Sequence, residues 1–159
     1  MNILKIPNPI LSQKAVEVTD FEGAKLLADG MLSTAEQEGL LGLAANQVGS
    51  LLRIIVIDLT HGLAEHRDFI SMINPVVKPI KELGRSWAFE SCASIPNVAY
   101  MVERWNRVNV EYQNSKGENC SLTLSPANSR SVQHEVDHLN GITLDKKKGI
   151  VTGKQKVIS

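Results

Sequence analysis

No stretch of this chain is as long and apolar as a membrane helix must be. Its longest aliphatic runs, such as Ile54-Ile55-Val56-Ile57, fall far short of the roughly 20 residues that span a bilayer, which excludes a membrane protein. Net charge is also missing. With 17 Lys+Arg against 17 Asp+Glu, there is no overall basic surface of the kind a nucleic-acid coat requires, and DNA is not an expected partner. Pro7 and Pro9 break up the N-terminus, which lacks the continuous apolar region of a secretory signal, so the expected compartment is the cytoplasm. Cysteine is scarce: Cys92 and Cys120 can close one disulfide at most, and a reducing compartment favours metal ligation or catalysis for any cysteine with a special role. Internal repeats, low-complexity tracts and Gly/Ser linkers are absent too, so residues 1–159 read as one domain.

What is present suits a globular protein. With 43% hydrophobic and 21% charged residues over 159 positions, the chain can bury roughly 70% of its unfolded surface around one core. Asp20 has the character of an N-cap, and Ala24, Leu27, Ala28, Met31, Leu32 and Ala35 recur at helical spacing, which predicts an amphipathic helix over Phe21 to Glu38. A small-residue segment, Gly39 to Gly49, follows. Arg53 to Leu59, rich in Ile and Val, reads as a buried strand. Further strands are predicted at Phe69 to Ile73, Val76 to Ile80, Ser86 to Glu90, Arg107 to Tyr112 and Cys120 to Leu124. Ser125-Pro126 is a helix start and Gly141 a stop, giving a second helix over Pro126 to Asn140. Strands grouped between two helices, with no regular alternation, predict an α+β fold of largely antiparallel sheets. Trp87 and Trp105 are expected in its core.

The second helix carries His134-Glu135-Val136-Asp137-His138. Four residues at about 100° each return the chain to within about 40° of its starting direction, so both imidazoles share one helix face and can hold one metal ion. Glu135 projects beside that face, within reach of a proton on water at the ion without being a ligand itself. A catalytic site usually needs a third protein ligand and an open position. Beyond His138 there is neither His nor Glu, and Leu144 stands where HExxHxxGxxH requires its last histidine. The third ligand is therefore expected upstream, among Cys92, Cys120, His61, His66 and the carboxylates. Cys120 opens a predicted strand and reads as a buried small hydrophobe. His61 and His66 fall in a polar, Gly-containing connection and read as exposed. Cys92 sits in Glu90-Ser91-Cys92-Ala93-Ser94-Ile95-Pro96, small residues right after a strand, where a backbone can approach a ligand closely. The alternative for it is an ordinary buried cysteine.

Three segments together resemble the peptide deformylase family. Gly42-Leu43-Ala44-Ala45-Asn46-Gln47 is similar to that family's GxGxAAxQ motif, Glu90-Ser91-Cys92-Ala93-Ser94 to EGCxS, and Gln133-His134-Glu135-Val136-Asp137-His138 to QHExDH. They stand in the family's order, and the likeness runs from about Ile3 to Leu144. Leu40 occupies the place of the first glycine of the first motif, Ser91 that of the glycine before the cysteine, and Ala93 that of a larger residue. The resemblance implies an α+β metallohydrolase, its antiparallel sheets packed around the C-terminal metal-binding helix with the N-terminal helix outside. Its expected reaction removes the formyl group from the N-terminal formylmethionine of nascent polypeptides.

In that resemblance Cys92, His134 and His138 are the metal ligands and Glu135 the general acid/base. The Gln47 side chain and the Ala93 N–H are donors to the developing oxyanion. One divalent ion is implied, Fe(II), with Zn, Ni or Co able to take its place, although a thiolate and two imidazoles by themselves suit zinc. Leu41, Gly42, Glu90, Arg130 and Ser131 are expected to bind substrate, the small-residue loop letting a peptide lie close like an added strand. Arg130 and Ser131 stand where an apolar lining would suit a thioether better. The implied partners are N-formylmethionyl nascent peptides. The Lys-rich end, with Lys146, Lys147, Lys148, Lys154 and Lys156, reads either as a surface close to the ribosome or as a solvated terminus, the latter being favoured. Two readings compete with an active deformylase: a deformylase-like binding module without turnover, and an endopeptidase, which HExxH alone suggests but which lacks its downstream ligand.

Overall fold

The computed structural model describes residues 1–147 and the backbone of 151–156. Helix α1 spans Phe21–Gln37, and the carboxylate of Asp20 accepts from the free N–H groups of Glu22 and Gly23. Strand β1, Gly42–Ala44, leads through a 3-10 turn at Ala45–Val48 to β2, Ile54–Asp58. Strands β3 (Phe69–Pro79), β4 (Arg85–Cys92), β5 (Ile95–Trp105), β6 (Val108–Gln113) and β7 (Asn119–Thr123) precede helix α2, Pro126–Leu139, and Val151–Lys156 forms β8. Among the described residues two antiparallel sheets result: five strands in the order β1-β2-β3-β6-β7, and three in the order β4-β5-β8.

The apolar run of β2 sets the layering. All of Ile54, Ile55, Val56 and Ile57 are fully buried, and the period-two alternation of a strand sends them to opposite faces. Ile54 and Val56 pack with Ala24, Ala28, Met31 and Ala35 of α1, whereas Ile55 and Ile57 pack with Val132 and Leu139 of α2. The helices thus cover the two faces of the larger sheet. Truncating a side chain such as Ile55 to alanine would cost about 2–5 kcal/mol. At the start of α2 the Ser125 hydroxyl accepts from Asn128 N, with Pro126 in the first turn. At its end Gly141 takes φ 74°, and a β-carbon there would lie 2.7 Å from Ser12 O. Among the described residues no helix is long and apolar enough to cross a membrane.

Several expectations are corrected. The two strands predicted over Phe69 to Ile80 are one, β3, with a bulge between Ile73 and Val76. Asn74 turns the chain there with φ 52°, and its amide bonds Val18 on both backbone groups and Gln113. Trp87 lies on the surface at 44% exposure, while Trp105 is half-buried against the core under the Arg85 guanidinium. Cys120 is only partly buried, on the edge strand β7. His66 is exposed as expected, but His61 is half-buried. The Lys-rich end is more than a solvated terminus. The backbone of β8 pairs with β5 through Val98↔Lys156, Ala99↔Gln155 and Met101↔Val151, and Lys147 Nζ lies 2.7 Å from Asp137 Oδ2. Lys148 lies outside the described residues.

Candidate metal centre

The helical period of α2 brings His134 and His138 onto one face, ring centroids 5.1 Å apart. Cys92 meets them from the end of β4. The pairing Cys92↔Ile95 closes the β4–β5 hairpin through Ala93 and Ser94 alone, so the thiol is held at a tight turn. Its Sγ lies 3.3 Å from His138 Nε2, and the ligand atoms of Cys92, His134 and His138 all fall within 4.8 Å of one another. Metal–sulfur and metal–nitrogen bonds of about 2.3 and 2.0 Å at tetrahedral angles separate such ligand atoms by roughly 3.5 Å, so this spacing fits one shared ion. Cys120, on β7, has no part in the group.

A chain of alternating charges orients the candidate ligands. His134 Nδ1 lies 2.9 Å from Glu90 Oε1, which leaves its Nε2 available to a metal ion. Buried Arg104 donates to both oxygens of Glu90, at 2.7 and 2.8 Å, and its Nη1 reaches Asp137 Oδ2 at 2.7 Å. Arg130 adds a bond to Glu90 Oε2 at 2.7 Å, and others to the carbonyls of Val102 and Ser86. Burial alone would raise the pKa of Glu90, but hydrogen bonds from His134 and Arg104 outweigh it and hold the carboxyl well below its ordinary range. Such partners fix the tautomer and direction of a metal-binding imidazole. Burial also opposes charge on His134, yet its bonds to Cys92 and Glu90 win and raise its pKa. His138 goes the other way, well below the ordinary value, through burial and then the charges of His134 and Arg104.

Glu135 is buried beside the candidate ligands, and its Oε2 has no hydrogen-bond partner among the described residues. Burial pushes its pKa up to about 7 against the opposing charges of His134 and Arg104. Gln47 is pinned: Ala44 N donates to its Oε1 at 2.9 Å, and its Nε2 donates to Ser94 Oγ at 3.1 Å and lies 3.6 Å from Cys92 Sγ. The N-terminal segment bridges the two loops. Leu4 N donates to Gln47 O, Ile6 N to Ser94 O, and Lys5 Nζ to Ala93 O.

A cleft of about 320 Å³ opens onto the ligands. Leu41, Gly42, Gln47, Glu90, Ala93, Arg130, Ser131 and Glu135 line it together with Cys92 and His134. Ser91 pairs with Ala99 at the point where the β4–β5 register shifts before Cys92. The lip bearing Leu40 is locked: Arg67 ties Leu40 O at 2.7 Å to the buried carboxylate of Asp58 at 2.5 Å.

Sequence reasoning passed over three contributors and set aside a fourth, His61, as exposed. Arg104 and Asp137 join the two sides of the centre, Asn46 Nδ2 donates to His138 O, and His61 lines the cleft. Arg104 had a signal, since a charged residue at an inward position of an alternating strand demands a buried partner.

Comparison with known proteins agrees with this geometry. A family model described as "Polypeptide deformylase" matches residues 1–150. The chain is 40% identical to "Peptide deformylase 1" of Corynebacterium efficiens over 144 residues, 88% of this chain and 82% of that one. Its fold matches the crystal structure of peptide deformylase from Ehrlichia chaffeensis with a TM-score of 0.83 at 28% identity, covering 94% of this chain and 88% of that one. It also matches the deformylase of Vibrio parahaemolyticus bacteriophage VP16T, crystallised with actinonin, with a TM-score of 0.79 at 33% identity over 91% of this chain and 100% of that one. The chain belongs to the peptide deformylase family, metal-dependent hydrolases that remove the N-formyl group from nascent polypeptides.

Proposed function

We propose that residues 1–159 form one catalytic domain in which Cys92, His134 and His138 hold a single divalent ion, Fe(II) by family likeness. When bound, the ion supplies Lewis-acid stabilisation of negative charge and makes water a stronger nucleophile near neutral pH. Glu135 accepts the proton of the attacking water through its unpartnered oxygen and passes it to the departing amine, so that formate and a free N-terminus result. Negative charge gathers on the formyl oxygen as the water oxygen bonds to the formyl carbon. Gln47 Nε2 and the Ala93 N–H donate to it, and losing one such donor costs about 3 kcal/mol of transition-state stabilisation.

Leu41 and Gly42 receive the peptide along the edge of β1, and Arg130 and Ser131 wall the space for the first side chain. Glu90 acts through others. Both of its oxygens are engaged by Arg104, Arg130 and His134, which makes it a positioning residue. The cytoplasm is the compartment we assign, in keeping with two free cysteines. Proximity to the ribosome rests on the Lys146–Lys148 run alone.

The observation that carries this reading is the convergence of one thiol and two imidazoles beside a buried carboxylate with a free oxygen. Protein prepared without oxygen, analysed for metal and incubated with formyl-Met-Ala, is expected to release free amine. Full occupancy by iron, nickel or cobalt without turnover would overturn it in favour of a binding module.

A further inference from the structure

Strand β4 is the edge of its sheet, with β5 as its hydrogen-bonded neighbour. Proteins usually blunt such edges with charge, proline or brevity. The edge strand β7 of the larger sheet is only five residues long and exposes the polar Asn119, Ser121 and Thr123. Strand β4 keeps exposed charge only at its far end, where Arg85 pairs with Glu103 of β5, the residue opposite Trp87. Ala88, Glu90 and Cys92 turn inward, while Trp87 and Phe89 stand on the outward face at 44% and 53% exposure. Met101, opposite Phe89 on β5, widens the apolar strip. The strip is continuous with the cleft, because Phe89 belongs to both.

We propose that Phe89 and Trp87 form an apolar rail that reads the second and fourth residues of the formylated peptide, favouring bulky apolar side chains at both. This rests on the deformylase reading, which puts the formyl group beside Cys92. From there an extended peptide leaves antiparallel to β4, passing Ser91, then Phe89, then Trp87. Side chains on one face of a strand recur every two residues, about 6.8 Å, the period that separates Phe89 from Trp87. With the first side chain turned inward toward Arg130 and Ser131, the second and fourth face outward along the rail. Cross-strand apolar pairs of this kind are worth up to about fivefold in affinity per pair. The occupant is the substrate's own chain, because the patch begins inside the cleft and runs outward from it.

The test measures kcat/KM of the metal-loaded protein on formyl-Met-Ser-Ser-Ser, formyl-Met-Leu-Ser-Ser and formyl-Met-Ser-Ser-Leu. The expected preference is roughly two- to fivefold for each leucine peptide over the all-serine one. Phe89→Ser should abolish the preference at the second residue only, Trp87→Ser that at the fourth only, and Trp87→Phe should restore the latter. Equal rates for the wild type on all three peptides, or preferences that survive in the serine variants, overturn the rail. If Phe89→Ser does not fold, the Trp87 variants decide at the fourth position. Failure to turn over any peptide counts against the deformylase reading. The rail is then judged by tryptophan emission, where a blue shift with formyl-Met-Ser-Ser-Leu alone supports it and no shift overturns it. A wild-type dimer that Trp87→Ser dissociates would assign the patch to a second copy of the chain and also overturn it.

Discussion

Gly42 and Glu135 are in such close approach that a β-carbon on Gly42 would lie 2.9 Å from Glu135 Oε1 and 3.0 Å from its Cγ. The glycine of the first motif therefore makes room for the carboxylate of the third. Gly42→Ala should displace Glu135 while sparing the ligands, which stand on other residues. Metal content by elemental analysis should remain near one ion per chain. The rate constant kcat should fall on the order of a hundredfold, the usual consequence of moving a catalytic group by about 1 Å. Unchanged turnover would mean that Glu135 tolerates the shift and that its position matters less than the geometry implies.

Removing the thiol separates the two cysteines. Cys92→Ala should weaken metal binding by more than about a hundredfold, beyond what loss of an orienting partner alone costs. Cys120→Ser, on a half-exposed edge strand, should leave metal content intact. Dialysis against a graded chelator followed by elemental analysis distinguishes them. Equal metal loss in both variants would reopen the choice of ligand.

The ion-pair chain Arg130–Glu90–Arg104–Asp137–Lys147 makes a graded prediction. Arg104 is only 2% exposed and pairs with two carboxylates, so Arg104→Met strands buried charge and should cost about 3–5 kcal/mol. Lys147 is 20% exposed and its loss leaves Asp137 still paired with Arg104, so Lys147→Met should cost less, about 1 kcal/mol. Urea denaturation at pH 7 provides both numbers. Similar costs would show that the chain acts as one delocalised unit with no central member.

Which parts of this were legible beforehand follows from the range of the forces involved. Helices α1 and α2 declare themselves locally through Asp20, Ser125-Pro126, Gly141 and helical apolar spacing, and the structure matches both to within one residue. Strand β5 escaped notice because Arg104 stands inward where alternation would put an aliphatic side chain, and its partners Glu90 and Asp137 lie 14 and 33 residues away. His61 read as surface because nothing near it in sequence reveals the cleft. Its placement depends on the loop that Asp58 gathers through Thr60, Gly62, Arg67 and Asp68. Trp87 was expected inside because tryptophan usually is, but β4 turns that side chain outward.

On the proposed mechanism, Glu135 also links catalysis to stability. Its carboxyl titrates at about 7 in the folded chain against an ordinary 4.5, so between those values the folded metal-free protein holds a proton that the unfolded chain has released. Stability must then fall as pH rises from about 4.5 to about 7, by on the order of 3 kcal/mol for a shift of this size. Glu135→Gln keeps the shape and cannot ionise. In chelated protein the variant should match the wild type near pH 5 and exceed it by about that amount at pH 8, read by urea denaturation at both. With metal restored, the same variant should keep its ion and lose about a thousandfold or more in kcat, since general acid–base catalysis is what it lacks. A stability gap equal at pH 5 and pH 8 would show that folding does not raise the proton affinity of this carboxyl.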